Sequence, residues 1–198
     1  DIFIENDLGH LIFGIGPLEF DPFHLNEIEV ANYSSDFWQK GDLLLSLRHR
    51  SMIMIYRPST KKVIWYKMGP WLNQHDPDFY NKNSISIFGN DVISSHHNRM
   101  MQSAPYLDKS NVIYLYDFKN DRVIKAMDKA MKNSKFNTVT GGRHQWIDDK
   151  LLFVEYSNTG IYSIFYKGEL IAYICNVDEN ENIIQGQITY IDKINFAP

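Results

Sequence analysis

Apolar and polar positions alternate in short runs along this chain. Runs rich in Ile, Val, Leu, Phe and Tyr recur between clusters of Asn, Asp, Gly, Ser and Lys, and about four to eight residues per run is the signature of β-strands. The pattern predicts strands over 26–31, 42–48, 52–57, 62–67, 84–88, 111–118, 122–126, 145–148, 151–156, 161–166 and 170–175. Several alternate with period two: Ile113, Leu115 and Asp117 share one face, and Val112, Tyr114 and Tyr116 the other. Strands apolar on both faces predict sheets covered on both sides. Helical periodicity is confined to 122–135, where Lys125, Lys129 and Lys132 interleave with Ala126, Ala130 and Met131. The predicted class is all-β.

The order of strands repeats. Three times an apolar strand is followed by a second, a polar turn, and a strand opening on Val63-Ile64, Val123-Ile124 or Leu170-Ile171. Propeller blades recur at roughly 40 to 50 residues, so four-stranded antiparallel blades of a β-propeller are the natural reading; a β-sandwich with similar strand spacing is the alternative. Residues 58–62, 119–121 and 167–169 carry the Pro, Asn, Asp and Gly chemistry of hairpin turns. Two insertions interrupt the repeat, at 32–40 and 90–110. The second holds His96, His97, Arg99, Met100, Met101 and Pro105, either lining a pocket or forming a solvated loop, and long loops of this kind are disproportionately functional.

The 198 residues supply about three blades, with a leading strand region from Ile2 to Ile15 and a trailing one from Ile183 to Phe196. The expectation is one partial propeller domain over 1–198. Three blades leave exposed sheet edges, so the missing N-terminal blades of a longer chain, or a second chain, are expected to close the ring. Asp1 is no initiator residue and points to processing or excision. Apolar residues make up 44% and charged ones 22%, which excludes disordered and collagen-like classes. A net charge of −4 argues against a nucleic-acid partner. No apolar run reaches the roughly 18 residues of a membrane span, and Cys175 has no partner for an intramolecular disulfide.

Candidate chemistry centres on histidine. His24, His75 and His144 each stand at the beginning of a first, innermost strand, and innermost strands line a propeller's central channel, so the three are expected to converge at one mouth. Imidazoles are common metal ligands, but no His-x-His or His-Glu-x-x-His spacing accompanies them, and no metal or other cofactor is predicted. Strand capping is the alternative role, above all for His144.

Around these residues the chain resembles the arylsulfate sulfotransferase family, whose members do not use 3′-phosphoadenylyl sulfate and are six-bladed propellers. The resemblance rests on His24-Leu25-Asn26, Ser46-Leu47-Arg48, Trp65 to Gly69, Gln74-His75, Phe88-Gly89-Asn90 and the strand Val112 to Asp117, in that order. It implies that 1–198 is the C-terminal half of a six-bladed ring. It also implies ping-pong transfer of a sulfuryl group from an aryl sulfate to a phenol through a sulfohistidine, in a periplasmic or secreted setting. By motif, His75 is similar to the nucleophile, while His24 and Arg48 are similar to the groups holding the sulfuryl oxygens. His144, Asn26 and Trp71 are expected to contact substrate, with Phe23 and Trp146 as further candidates for stacking on an aryl ring.

The chemistry suits these residue types. A neutral imidazole attacks sulfur and divides one displacement into two, and a guanidinium offers a planar fork to anionic oxygens. The chain departs from the family at Gly89, where an acidic residue is usual. It also lacks the family's disulfide, and only His10 stands where a further histidine is expected. The reading from a different class is a non-catalytic propeller that serves as a binding or assembly module.

Overall fold

The computed structural model describes residues 2–13, 20–93, 106–107, 110–182 and 184. Among the described residues, twelve strands form three four-stranded antiparallel sheets, each a simple meander. The first sheet comprises β1 (Leu25–Val30), β2 (Leu43–Leu47), β3 (Met52–Arg57) and β4 (Lys62–Met68). The second comprises β5 (His75–Asn81), β6 (Ser84–Gly89), β7 (Val112–Asp117) and β8 (Arg122–Ala126). The third comprises β9 (Arg143–Trp146), β10 (Leu151–Tyr156), β11 (Ile161–Tyr166) and β12 (Glu169–Cys175). β5 touches β1 on one side and β9 on the other, so the first strands of the three sheets share one axis.

Apolar faces explain this packing. Leu44, Ile53, Ile55, Trp71, Ile85, Ile87, Val112 and Tyr114 fill the layer between the first two sheets. Phe88, Ile113, Leu152, Val154, Tyr156 and Phe165 fill the next layer. Burying a side chain of this size contributes roughly 1.5 to 3 kcal/mol. The middle strands are almost wholly buried and the outer strands alternate, as expected for sheets stacked face to face.

Four elements differ from the sequence expectation. Residues 2–13 form two one-turn helices, α1 (Ile2–Glu5) and α2 (His10–Phe13), in place of a leading strand. Phe3, Leu8, Leu11 and Ile12 pack on Leu45, Leu47, Met52 and Met54, the face of the first sheet turned away from the second. The segment 122–135 divides into strand β8 and helix α3 (Asp128–Ser134), because Ala130 and Met131 bury against Phe88 and Tyr156.

β5 has no apolar run of its own, and only the place of His75 in the repeat marks a strand there. Its sequence His-Asp-Pro-Asp is polar, Asp76 adopts φ 49° within it, and its pairing with β6 is interrupted twice. The insertion 32–40 is structural, since Trp38 is fully buried against Tyr33, Phe79 and Phe118. The second insertion from Ser94 to Pro105, including His96, His97, Arg99, Met100 and Met101, lies outside the described residues, as does the trailing region apart from Ile184.

Candidate active site

In every sheet the first strand begins and the second strand ends at the same edge. There His24 precedes β1 and Arg48 follows β2, with the Arg48 N–H donating to the His24 carbonyl at 3.0 Å. His75 opens β5 and Asn90 follows β6. Gly142 precedes β9 and Ser157 follows β10, the Gly142 N–H donating to Ser157 Oγ at 2.8 Å. The repeat therefore brings side chains of different types to one level of the fold.

His75 stands where all three sheets meet. Its neighbour Gln74 is fully buried, and the Gln74 carboxamide donates to Ser46 Oγ at 3.1 Å and to the Met52 carbonyl at 3.0 Å. The Gln74 carbonyl accepts from Asn26 Nδ2 at 2.9 Å. These bonds pin the Gln-His pair to the first sheet. On the other side, His75 Nδ1 is 2.6 Å from Asn90 Oδ1, and the Gly141 N–H donates to His75 Nε2 at 3.3 Å.

Buried Asn90 is itself held by the third sheet's entry loop, donating to the carbonyls of Gly141 at 2.8 Å and Thr138 at 3.2 Å. Gly141 and Gly142 adopt φ of 69° and 102°, and a Cβ at Gly142 would meet the Phe88 ring at 2.5 Å. Glycine is needed there for so close an approach. Burial pushes the His75 pKa down to about 4; the Asn90 hydrogen bond opposes this and the nearby Arg48 guanidinium adds to it. His75 is therefore neutral at pH 7 and keeps a lone pair.

His24 is half-exposed, with Nδ1 2.6 Å from Asp21 Oδ2 and its ring stacked on His49 at 4.6 Å. The hydrogen bond from His24 holds the Asp21 carboxyl below its usual range. His49 Nδ1 is 2.8 Å from the Asp21 carbonyl oxygen, which orients the stacked ring. Asn26 acts here through Gln74. Trp71 corrects the stacking expectation: it is completely buried and meets Tyr114 edge to face at 6.1 Å, so it serves the core. Phe23 stacks on Phe3 at 4.0 Å, and Trp146 packs against Tyr80 at 5.1 Å. His10 is exposed on α2.

The departure at Gly89 has a physical explanation. A Cβ there would lie 2.6 Å from the Tyr114 ring and 2.9 Å from Asp91 Oδ1. The buried carboxylate of Asp91 reaches this space from two residues further on, accepting from the Leu72 N–H at 2.9 Å and the Tyr114 hydroxyl at 2.5 Å.

His144 does not join His75. It is fully buried in an adjoining network, with Nδ1 3.1 Å from Asp76 Oδ2 and Nε2 2.8 Å from Ser86 Oγ. The His144 N–H also donates to Asp76 Oδ2 at 2.6 Å. This network borders a cleft of about 570 Å³ lined by Glu27, Glu29, Asp76, Asp78, Arg143 and Glu155 among others. Burial alone lowers the His144 pKa, but the Asp76 hydrogen bond and the charges of Asp78 and Asp76 reverse this and raise it. Burial, followed by the charges of neighbouring carboxylates, raises the pKa values of Glu27, Glu29 and Asp78, and His144 partly offsets the rise at Asp78.

The expectation of three histidines at one mouth is thus corrected at His144, which lies in the Asp76 network rather than beside His75, while His24 contacts Asp21 and His49. Among the described residues, metal-ligand atoms cluster as Asp21, His24 and His49, and as Asp76, Asp78 and His144, rather than as the three strand-opening histidines. Asn90 and Gly141 are the site groups that motif reading did not assign. Only the strand-end match Phe88-Gly89-Asn90 hinted at the first.

Residues 16–169 match the family model described as Arylsulfotransferase (ASST). The match spans most of the chain, and the protein belongs to the arylsulfotransferase family. No curated protein shows significant similarity to it.

Proposed function

We propose that this chain transfers a sulfuryl group from an aryl sulfate to a phenolic acceptor, with His75 as the nucleophile. The observation that carries the proposal is a neutral imidazole, held from both sides, close enough to Arg48 for the guanidinium to disfavour charge on its ring. A guanidinium near the nucleophile suits a sulfate ester, whose sulfuryl group in turn offsets the guanidinium's charge.

In the first half-reaction the His75 lone pair forms the N–S bond, the S–O(aryl) bond breaks, and its electron pair leaves on the aryl oxide. His24, oriented by Asp21, gives that oxide a proton, and it takes a proton from the incoming phenol in the second half-reaction. The phenol oxygen then forms the new S–O bond, and the N–S pair returns to His75. The Gly141 N–H, aimed at the ring nitrogen, is free to move to a sulfuryl oxygen as the lone pair is consumed.

The proposal includes a propeller closed by further blades, in an exported setting. Ile28 and Val30 pair with Leu45 and Leu43, so they lie on the first sheet's outward face, where they remain 49% and 53% exposed beyond the cover of α1 and α2. Ile174 of β12, paired with Tyr162, is 68% exposed at the opposite end of the stack. A further sheet on each side covers both faces.

Intact mass after incubation with an aryl sulfate tests the chemistry. The expected result is a single sulfuryl adduct that disappears in His75→Ala, together with a loss of turnover of roughly a thousandfold or more. An adduct retained in His75→Ala rules out the assignment of the nucleophile. No adduct on the wild-type protein favours a binding module.

A further inference from the structure

We propose that Asn90 is a positioning residue that sets the tautomer of His75, making Nε2 the attacking atom. The inference rests on the sulfuryl-transfer reading for its purpose, but on hydrogen-bond geometry for its content.

An imidazole has two nitrogens, and a neutral ring protonates only one. Asn90 decides which one. Both hydrogens of its amide are directed at main-chain carbonyls, those of Gly141 at 2.8 Å and Thr138 at 3.2 Å. The amide therefore cannot turn over, because turning would set Oδ1 against two carbonyl oxygens and leave both without a donor. Oδ1 remains facing His75 Nδ1 at 2.6 Å, and an amide oxygen only accepts. Nδ1 must carry the proton.

The other nitrogen gives the same answer independently. The Gly141 N–H points at Nε2 at 3.3 Å, and a main-chain N–H only donates, so Nε2 holds the lone pair. The groups form a closed circuit in which Gly141 accepts from Asn90 through its carbonyl and donates to His75 through its N–H. Asn90 is completely buried, and its own carbonyl accepts from Asn111 Nδ2 at 2.9 Å, so the device is fixed within the core.

An amide suits the reaction better than a carboxylate. When Nε2 bonds to sulfur, the ring gains positive charge and the Nδ1–H bond to Asn90 strengthens, while the proton stays on Nδ1. The N–S bond then breaks toward the phenol oxygen and returns the electron pair to Nε2, with no proton moved at His75 in either half-reaction. A carboxylate in the same place would favour the imidazolium before attack and remove the lone pair.

The test combines ¹⁵N resonances of the His75 ring with the rate of adduct formation from 4-nitrophenyl sulfate. The wild-type protein is expected to show a protonated Nδ1 and a pyridine-type Nε2. Folded Asn90→Ala is expected to show a mixture of tautomers and a tenfold or greater fall in the rate of adduct formation at saturating sulfate ester, with half-saturation little changed. Asn90→Asp keeps an acceptor at Nδ1 and is expected to keep the proton there, and its spectrum decides the matter where Asn90→Ala does not fold.

A protonated Nε2 in the wild type overturns the assignment, as does a folded Asn90→Ala with unchanged tautomer and rate. If Asn90→Ala does not fold, an Asn90→Asp ring protonated at Nε2 but not at Nδ1 overturns it as well. Wild-type protein with the expected tautomer but no adduct overturns the sulfuryl-transfer reading and leaves the tautomer assignment standing.

Discussion

A part-buried and a fully buried histidine lie on neighbouring strands of this protein, and their surroundings drive them in opposite directions. His75 faces an amide, a main-chain N–H and a nearby guanidinium, and it is held neutral with a pKa of about 4. His144 faces Asp76 and Asp78, and it is held toward the charged form despite complete burial. Burial is common to both and disfavours charge in both, so the partner decides. An amide and a carboxylate differ little in shape, yet one leaves the ring neutral and the other favours its charged form.

The contrast is sharpened by pH, and the largest effect belongs to His75. A histidine whose folded pKa lies below its ordinary value contributes stability above pH 6.5, lost as the pH falls from there through about 4. The shift corresponds to about 3 kcal/mol. Denaturant unfolding between pH 7 and pH 4 is expected to show that loss in the wild type and a smaller one in His75→Gln. Equal losses break the comparison.

Next in size is Asp76→Asn. The raised pKa of His144 gives stability that is fully present below pH 6.5 and lost as the pH rises through the folded value. Asp76→Asn is expected to cost about 2 kcal/mol at pH 6, with the deficit narrowing toward alkaline pH. Circular dichroism melts at several pH values check this, and a deficit independent of pH removes His144 as its source.

The smallest effect, and the only gain, is expected from Asp78→Asn. Asp78 has a raised pKa because it is buried beside Asp76, Glu29 and Glu27, so its ionisation weakens the fold as the pH rises. Asp78→Asn is expected to add about 1 kcal/mol at pH 9, or 2 to 4 °C in Tm, with a smaller gain at pH 5. A loss at pH 9 shows that its contact with His144 outweighs the crowding.

Sequence pattern carried most of the fold because the middle strands of each sheet are covered on both faces and consist of apolar runs. β5 escaped it for the reason that it matters. Its side chains line the acidic cleft, and Asp76 turns the backbone inside the strand, so neither alternation nor apolar content marks it. The helices α1 and α2 escaped because Ile2-Phe3-Ile4 reads equally well as a strand, and only the sheet face beneath decides. Among the candidate residues, the placement of His75 and Arg48 at one edge of their sheets follows the motif order, whereas Trp71 was misplaced because an aromatic near a loop has the same sequence character in a core as in a pocket. The roles of Asn90 and Gly141 arise from contacts between sheets, which no local periodicity records.

The entry loop to the third sheet also sets an order of events. Gly141 lies 66 residues beyond His75 in the chain, so synthesis from the N-terminus delivers the histidine, and then Asn90, well before either has its anchor. A nascent chain that has folded only two sheets carries an imidazole free to protonate at either nitrogen. On the proposed mechanism, chemistry is tied to docking of the third sheet: the attacking nitrogen is defined only once that sheet is in place, and chains cut short before Thr138 are expected to form no adduct with sulfate esters even where their first sheets are well formed.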